Sequence, residues 1–318
     1  MHKWMRDDDE VRPPGAYILL EAMGMRKSSQ QVQYSQHTQQ EVMPDLRIVP
    51  LTSLVPHEEH DAQRSEPLIE RIRAAGTWLN PPIVAPMGDG RFVILDGANR
   101  HYALGALGYQ YILVQVVEYE SVSVQLETWH HIISGMSWFK FLRNLLAIDG
   151  LTVVCTDLLS ARAALARREV LAYTVLNDDN AYTLSAEHMA NATIARRTAL
   201  LCEIVDTYKA RGVLNRISTD ALGEARHLYP KGVAIVVFPH YQPVEILVAA
   251  RNGVHLPPGI SRHIIRGRAM RLHYPLEALR ENGESLEDKN AELQSWIQAR
   301  LAEKRVRYYA EPTYLFDE

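Results

Sequence analysis

Asp96, Gly97, Ala98, Asn99, Arg100 and His101 follow directly on the apolar run Val93-Ile94-Leu95, and an alanine- and leucine-rich helical pattern follows them. The segment reads as a buried strand that turns into a helix. At such a junction the first backbone N–H groups of the helix have no intrahelical partner, and they suit an anion, usually a phosphate. Gly97 lets a ligand approach the backbone closely. Arg100 offers a cation to that anion. Asp96 offers a carboxylate to a hydroxyl or to Mg²⁺, which favours hard oxygen ligands. The same residues would also serve a plain turn in which Asp96 caps the helix and Arg100 faces solvent.

Three further stretches carry chemistry. "PHEEHD" brings Glu58, Glu59 and Asp61 together beside His57, and any of these carboxylates could take a proton from a hydroxyl if it were pre-positioned. A solvated acidic loop is the alternative. "ETWHH" places Trp129 on an expected helix whose other face is apolar, where a tryptophan is usually core. "GISRHIIRGR" combines Ser261, Arg262 and His263 after a Pro-Pro-Gly turn, and arginine suits bidentate capture of a carboxylate or a phosphate.

The elements that would hold these residues can be read from pattern. Residues 1–44 include the glutamine- and serine-rich tract "KSSQQVQYSQHTQQE", which has little to bury and reads as a flexible arm. A small α/β unit spans 45–122. In it "LRIVPL" is a strand, "EPLIERIRAAG" a helix with Pro67 near its start, and "PPIVAP" and "RFVIL" a hairpin joined by "MGDG". The helix after Asp96-Gly97 and the strand "YILVQVVEY" complete the unit. Residues 123–318 read as a mixed α/β domain. A helical stretch begins at "VQLETWHHIISG", a hairpin forms around Asn177-Asp178-Asp179-Asn180, and a long helix runs from about 186 to 211. "RAMRLHYPL" and the tail "VRYYAEPTYLF" read as strands, on either side of a helix over about 286–303.

Composition narrows the class. The chain has 318 residues, 47% of them hydrophobic and 23% charged, which is ordinary for a globular protein. Its formal net charge is -4, and no long basic block marks a nucleic-acid surface. The two cysteines form no CxxC pair, no apolar run approaches the roughly 20 residues of a membrane span, and the charged N-terminus does not read as a signal peptide. A cytoplasmic protein is expected, with no membrane partner and with nucleic acid disfavoured. A homodimer is left open.

The strand, the Asp-Gly-x-Asn-Arg turn, the helix behind it and the hairpin before it resemble the ParB/sulfiredoxin superfamily. "IVPLTSLVPHEEHD", "PPIVAPMGDGRFVILDGANRHYALGALG", "LETWHHIISG" and "LPPGISRHIIRGRAMRLHYPLEAL", in that order, resemble one branch of it, the free L-serine kinases. The resemblance implies a ParB/sulfiredoxin-like N-terminal α/β module followed by a mixed α/β domain that completes the site. It implies phosphorylation of L-serine to O-phospho-L-serine with ATP or ADP and Mg²⁺, serving amino-acid or siderophore biosynthesis. Glu58 would be the base and Asp96 a catalytic carboxylate or Mg²⁺ ligand. Gly97, Ala98, Asn99, Arg100 and His101 would bind nucleotide phosphates, while Trp129, Arg262 and His263 would bind substrate. Ala98 stands where sulfiredoxins carry their catalytic cysteine, so sulfinic-acid reduction loses its nucleophile. The kinase branch often has histidine where this chain has Asn99. A ParB-like, nucleotide-dependent DNA-binding regulator is the alternative.

Overall fold

Leu46, Ile48 and Val49 turn inward from a short edge strand and start the first of the two larger sheets. The computed structural model describes residues 43–60, 62–176, 180–209 and 212–309, so nearly all of the expected arm lies outside the described residues. The first part of the chain runs β1 (Asp45–Pro50), β2 (Leu54–Pro56), α1 (Ala62–Ala75), β3 (Thr77–Trp78), β4 (Ile83–Pro86), β5 (Phe92–Asp96), α2 (Ala98–Ala106) and β6 (Tyr111–Val116). Its five-stranded sheet has the order β1-β6-β4-β5-β2. The β4–β5 hairpin is antiparallel, as its glycine-rich turn predicts, while β2 runs parallel to β5. Helix α1 starts earlier than expected, so Pro67 lies inside it and forgoes one ladder hydrogen bond.

The rest runs β7 (Val124–Thr128), β8 (His130–Ser134), α3 (Trp138–Leu146), β9 (Leu151–Thr156), α4 (Leu158–Ala166), β10 (Ala172–Leu176), β11 (Ala181–Ala186), α5 (Ile194–Lys209), β12 (Val213–Ile217), α6 (Leu222–Leu228), β13 (Ala234–Val237), α7 (Pro243–Arg251), β14 (Ser261–Ile265), β15 (Tyr274–Pro275) and α8 (Leu286–Ala302). The second sheet has six strands in the order β12-β8-β13-β10-β11-β9. Strands β7 and β14 form a separate antiparallel ribbon. The molecule is thus mixed α/β, as the sequence predicts.

Four local expectations fail, three of them for identifiable reasons. "VQLETWHHIIS" forms strands β7 and β8, not a helix, and Trp129 sits between them. Four successive residues of β8 are buried, and such a run has no period that distinguishes strand from helix. The long helix starts at Ile194, because Thr193 Oγ1 accepts the Arg196 N–H at 3.2 Å and caps it, while Met189–Asn191 form only a single 3₁₀ turn. In "RAMRLHYPL" only Tyr274–Pro275 pair as strand, since Arg271 and His273 both adopt φ of 54°, outside the extended region. Residues 306–309 of the tail are exposed and not extended into a strand, and 310–318 lie outside the described residues.

The chain also returns to its first sheet. The Asn290 side chain accepts the Ile48 N–H and donates to the Ile48 carbonyl, both at 2.9 Å, so α8 covers the free edge of β1. Tyr274, Leu276, Leu279 and Leu293 join the same core as Ile48, Trp78, Leu104 and Ile112.

Candidate active site

Strands β2 and β5 pair in parallel, Leu54 with Phe92 and Pro56 with Ile94, and so deliver Glu58 and Asp96 at the same end of the sheet. The carboxyl ends of parallel strands are where α/β sheets gather ligands. His57 donates from Nδ1 to the Ile94 carbonyl at 2.6 Å, which turns Nε2 towards Ser261 Oγ at 2.8 Å. Glu58 Oε2 accepts the Gly259 N–H at 2.9 Å, and Oε1 accepts the Ser261 N–H at 2.8 Å and the Ser261 hydroxyl at 2.5 Å. The segment before β14 is tied to the same loop, because Leu256 donates to the His57 carbonyl and its own carbonyl accepts the Glu59 N–H. Glu58 is thus fixed at both oxygens, whereas Glu59 and His60 are exposed.

His263 stands two residues along β14, with its ring edge-on to His57 at 5.4 Å. Its Nε2 meets the Tyr119 hydroxyl at 2.8 Å. Burial, with His57 second, pushes the imidazole down to about 3, so His263 is neutral. Burial and then the Glu58 carboxylate push the Tyr119 hydroxyl up, so it too is neutral.

The turn after β5 has the geometry of an anion site. Gly97 adopts φ of 108° and places no side-chain cap on α2, whose first N–H groups remain free of intrahelical partners. Asp96 Oδ2 accepts from Arg100 Nη2 at 2.7 Å and also from Arg268 Nη2. Partial burial pushes the Asp96 carboxyl up, but the two guanidinium groups overcome this and hold it below the usual carboxylate range. Asn99 is anchored by the buried Ser65 hydroxyl at 3.2 Å. His101 Nε2 contacts the Leu51 carbonyl at 3.2 Å, and burial lowers its pKa. A cleft of about 640 Å³ is lined by Glu58, by Ala98 and His101 of α2 and, among others, by the stacked His60 and Tyr102 rings 3.8 Å apart.

No family model matches the chain. A Staphylococcus aureus protein named ATP-dependent L-serine kinase SbnI is 26% identical over 278 residues, which are 86% of this chain and 97% of that protein. An ATP-dependent L-serine kinase of Desulfurococcus mucosus is 25% identical over 239 residues, 73% of this chain and 90% of that protein. A free serine kinase solved in complex with AMP superposes with a TM-score of 0.62 at 18% identity, covering 75% of this chain and 95% of that one. The fold is that of the free serine kinases.

Within this free serine kinase fold, most of the expected site residues converge. Glu58, Asp96, Gly97, Ala98, Arg100, His101 and His263 gather around the ends of β2 and β5, and Asn99 braces the turn. Trp129 and Arg262 do not join them. Strand alternation sends Ser261 towards Glu58 and His57 but sends Arg262 the other way, to Glu127 at 3.0 Å and over the Trp129 ring at 4.2 Å. Asp96 also does not fit a protein-held Mg²⁺ site. Its Oδ2 is engaged by two arginines, and among the described residues no group of three or more His, Cys, Asp or Glu side chains could hold a metal.

Sequence reading missed Arg268 and Tyr119, and it did not single out Ser261 from its neighbours. Only the "RGR" after β14 gave a local signal for Arg268, and nothing in it pointed 172 residues back to Asp96.

Proposed function

We propose that this protein is a free L-serine kinase, which moves the terminal phosphoryl group of ATP or ADP to the hydroxyl of L-serine and releases O-phospho-L-serine. The observation that carries the reading is the fixed Glu58 carboxylate, which lines the same cleft as Ala98 and His101 at the start of α2, directly after the Asp96-Gly97 turn. Phosphoryl transfer needs positioning, charge neutralisation and a base, and these two clusters offer all three.

The nucleotide lies in the cleft with its phosphates on the N-terminal N–H groups of α2 and on Arg100. Mg²⁺ enters as part of the nucleotide substrate. The serine hydroxyl points at Glu58, which takes its proton as the oxygen attacks the terminal phosphorus. The new P–O bond forms, the bond to the bridging oxygen breaks, and the proton leaves Glu58 for water. Ser261 keeps the carboxylate aimed. His263, on the same face of β14 as Ser261, is held by the Tyr119 hydroxyl and packs against His57 behind the base. Arg262 and Trp129 act through β14, the other face of which carries Ser261 and His263.

The strand–Asp-Gly–helix turn supports a place for the first sheet in the ParB/sulfiredoxin superfamily. Free Cys155 and Cys202, with no described helix long and apolar enough to cross a membrane, support a reducing cytoplasm. The test is direct. Purified protein is incubated with L-serine, Mg²⁺ and either ATP or ADP, and O-phosphoserine is sought by mass spectrometry. Product with one donor names that donor. No product with either nucleotide removes the reading and leaves the DNA-binding alternative to be tried.

A further inference from the structure

Arg268 meets the Asp96 carboxylate beside Arg100, and one buried amide holds the backbone on both sides of it. Gln115 of β6 is 3% exposed; its Nε2 donates to the Gly267 carbonyl at 3.1 Å, and its Oε1 accepts the Ala269 N–H at 2.8 Å. A polar side chain on an interior strand costs stability unless its hydrogen bonds are made. Both ends of this amide serve the segment that carries Arg268, so the direction of that arginine is set by the first sheet itself.

The charge count at the turn is also unbalanced. Two guanidinium groups share one carboxylate oxygen, which leaves one positive charge in excess beside the N-terminus of α2. Arg100 alone would satisfy Asp96. Its other nitrogen is fixed by the Asn80 carbonyl at 3.0 Å, whereas the Arg268 side chain is 35% exposed. Arg268 also follows three residues after β14, the strand whose Ser261 holds the Glu58 base.

We propose that Arg268 is a second phosphate-binding arginine of this site, resting on Asp96 and closing on the phosphoryl group in transfer, while Arg100 holds the phosphates that stay with the nucleotide. The assignment of the phosphoryl group in transfer rests on the kinase reading. A planar guanidinium offers a fork that matches two phosphoryl oxygens, and it neutralises the charge spread over them in the transition state. Gln115 is a positioning residue for Arg268.

The test combines Arg268→Ala, Arg268→Lys, Gln115→Leu and the Gln115→Leu/Arg268→Ala double variant. Arg268→Ala is expected to lower kcat by about 10³-fold, the lower reach of an arginine acting on a transferring phosphoryl group. It should weaken calorimetric binding of O-phosphoserine and of pyrophosphate by about tenfold, while AMP binding stays unchanged. Arg268→Lys should recover part of the loss. Gln115→Leu should lower kcat alone yet add nothing in the Arg268→Ala background, which a merely structural role would not produce. A kcat of Arg268→Ala near wild type overturns the proposal. So does an equal loss of L-serine and O-phosphoserine binding, which would make Arg268 a carboxylate clamp. If wild type makes no O-phosphoserine, the kinase reading falls separately. The pyrophosphate titration still decides Arg268: weakened binding in Arg268→Ala keeps the phosphate site, and unchanged binding removes it.

Discussion

Ser261 donates its hydroxyl to Glu58 Oε1 at 2.5 Å and its backbone N–H to the same oxygen at 2.8 Å. One residue of β14 therefore fixes a carboxylate that lies 203 positions earlier. On the kinase reading, Glu58→Gln should lower kcat by about 10²- to 10⁴-fold, the usual cost of a lost general base. Nucleotide affinity should hardly change, because the base acts on serine. Steady-state kinetics beside calorimetric titration check this, and a variant with near wild-type kcat would move the role to Glu59.

Ser261→Ala removes the hydroxyl bonds to Glu58 and His57 but keeps the backbone N–H bond. The loss of one aligned hydrogen bond predicts a fall in kcat of about five- to tenfold, equivalent to roughly 1 kcal/mol. Arg262→Ala breaks a half-exposed pair with Glu127 on the other face of β14 and should cost clearly less. Parallel kinetics on the two variants test the side of the strand that faces the reaction. A larger effect at Arg262 would reverse the assignment.

Arg100→Ala should weaken nucleotide binding by about 1.5–3 kcal/mol, the worth of a charge-assisted hydrogen bond, and leave serine binding intact. Calorimetry with AMP and ADP reads this. Unchanged affinity would reduce the turn to a strand-to-helix connection.

Gly97→Val should impair both folding and nucleotide binding. A Cβ there would lie 2.9 Å from Pro82 Cβ and 3.0 Å from Arg100 Nη2, and the backbone already sits at φ of 108°. A loss of melting temperature together with weaker ADP binding is expected. A stable variant that binds normally would show that the turn can relax.

Acid should destabilise the fold before carboxylates titrate. Burial pushes His131 and His263 down to about 3 and His130 to about 4. In each case the unfolded chain takes up a proton at its ordinary pKa, near 6.5, while the folded chain does not. Stability is therefore full above that pH and is lost as pH falls through the window from about 6.5 towards 3, by up to roughly 1.4 kcal/mol per pH unit for each histidine. Melting temperature against pH measures it. A flat profile between pH 6.5 and 4.5 would mean that these rings are not held neutral. His131 donates from Nε2 to the Gly259 carbonyl and, when neutral, accepts the Tyr208 hydroxyl at Nδ1, so its protonation removes the buried Tyr208 bond.

Much of the first sheet was legible along the chain. The hairpin around "MGDG" and the apolar run ending at Asp96-Gly97 are specified by neighbours within a few residues, and so is the helix behind them. Glycine at 97, a carboxylate before it and an arginine three residues after it also announce an anion site locally, because one turn of helix brings all three together. What depended on distant partners was not legible. β8 is a strand because β12 and β13 pair with it from roughly 80 to 100 residues later, and its four successive buried residues carry no period of their own. The side of β14 that meets Glu58, the turning of Arg262 towards Trp129, and the arrival of Arg268 on Asp96 were decided by tertiary structure alone. Strand alternation offers two faces, and only the packing of the other elements settles which face meets the site.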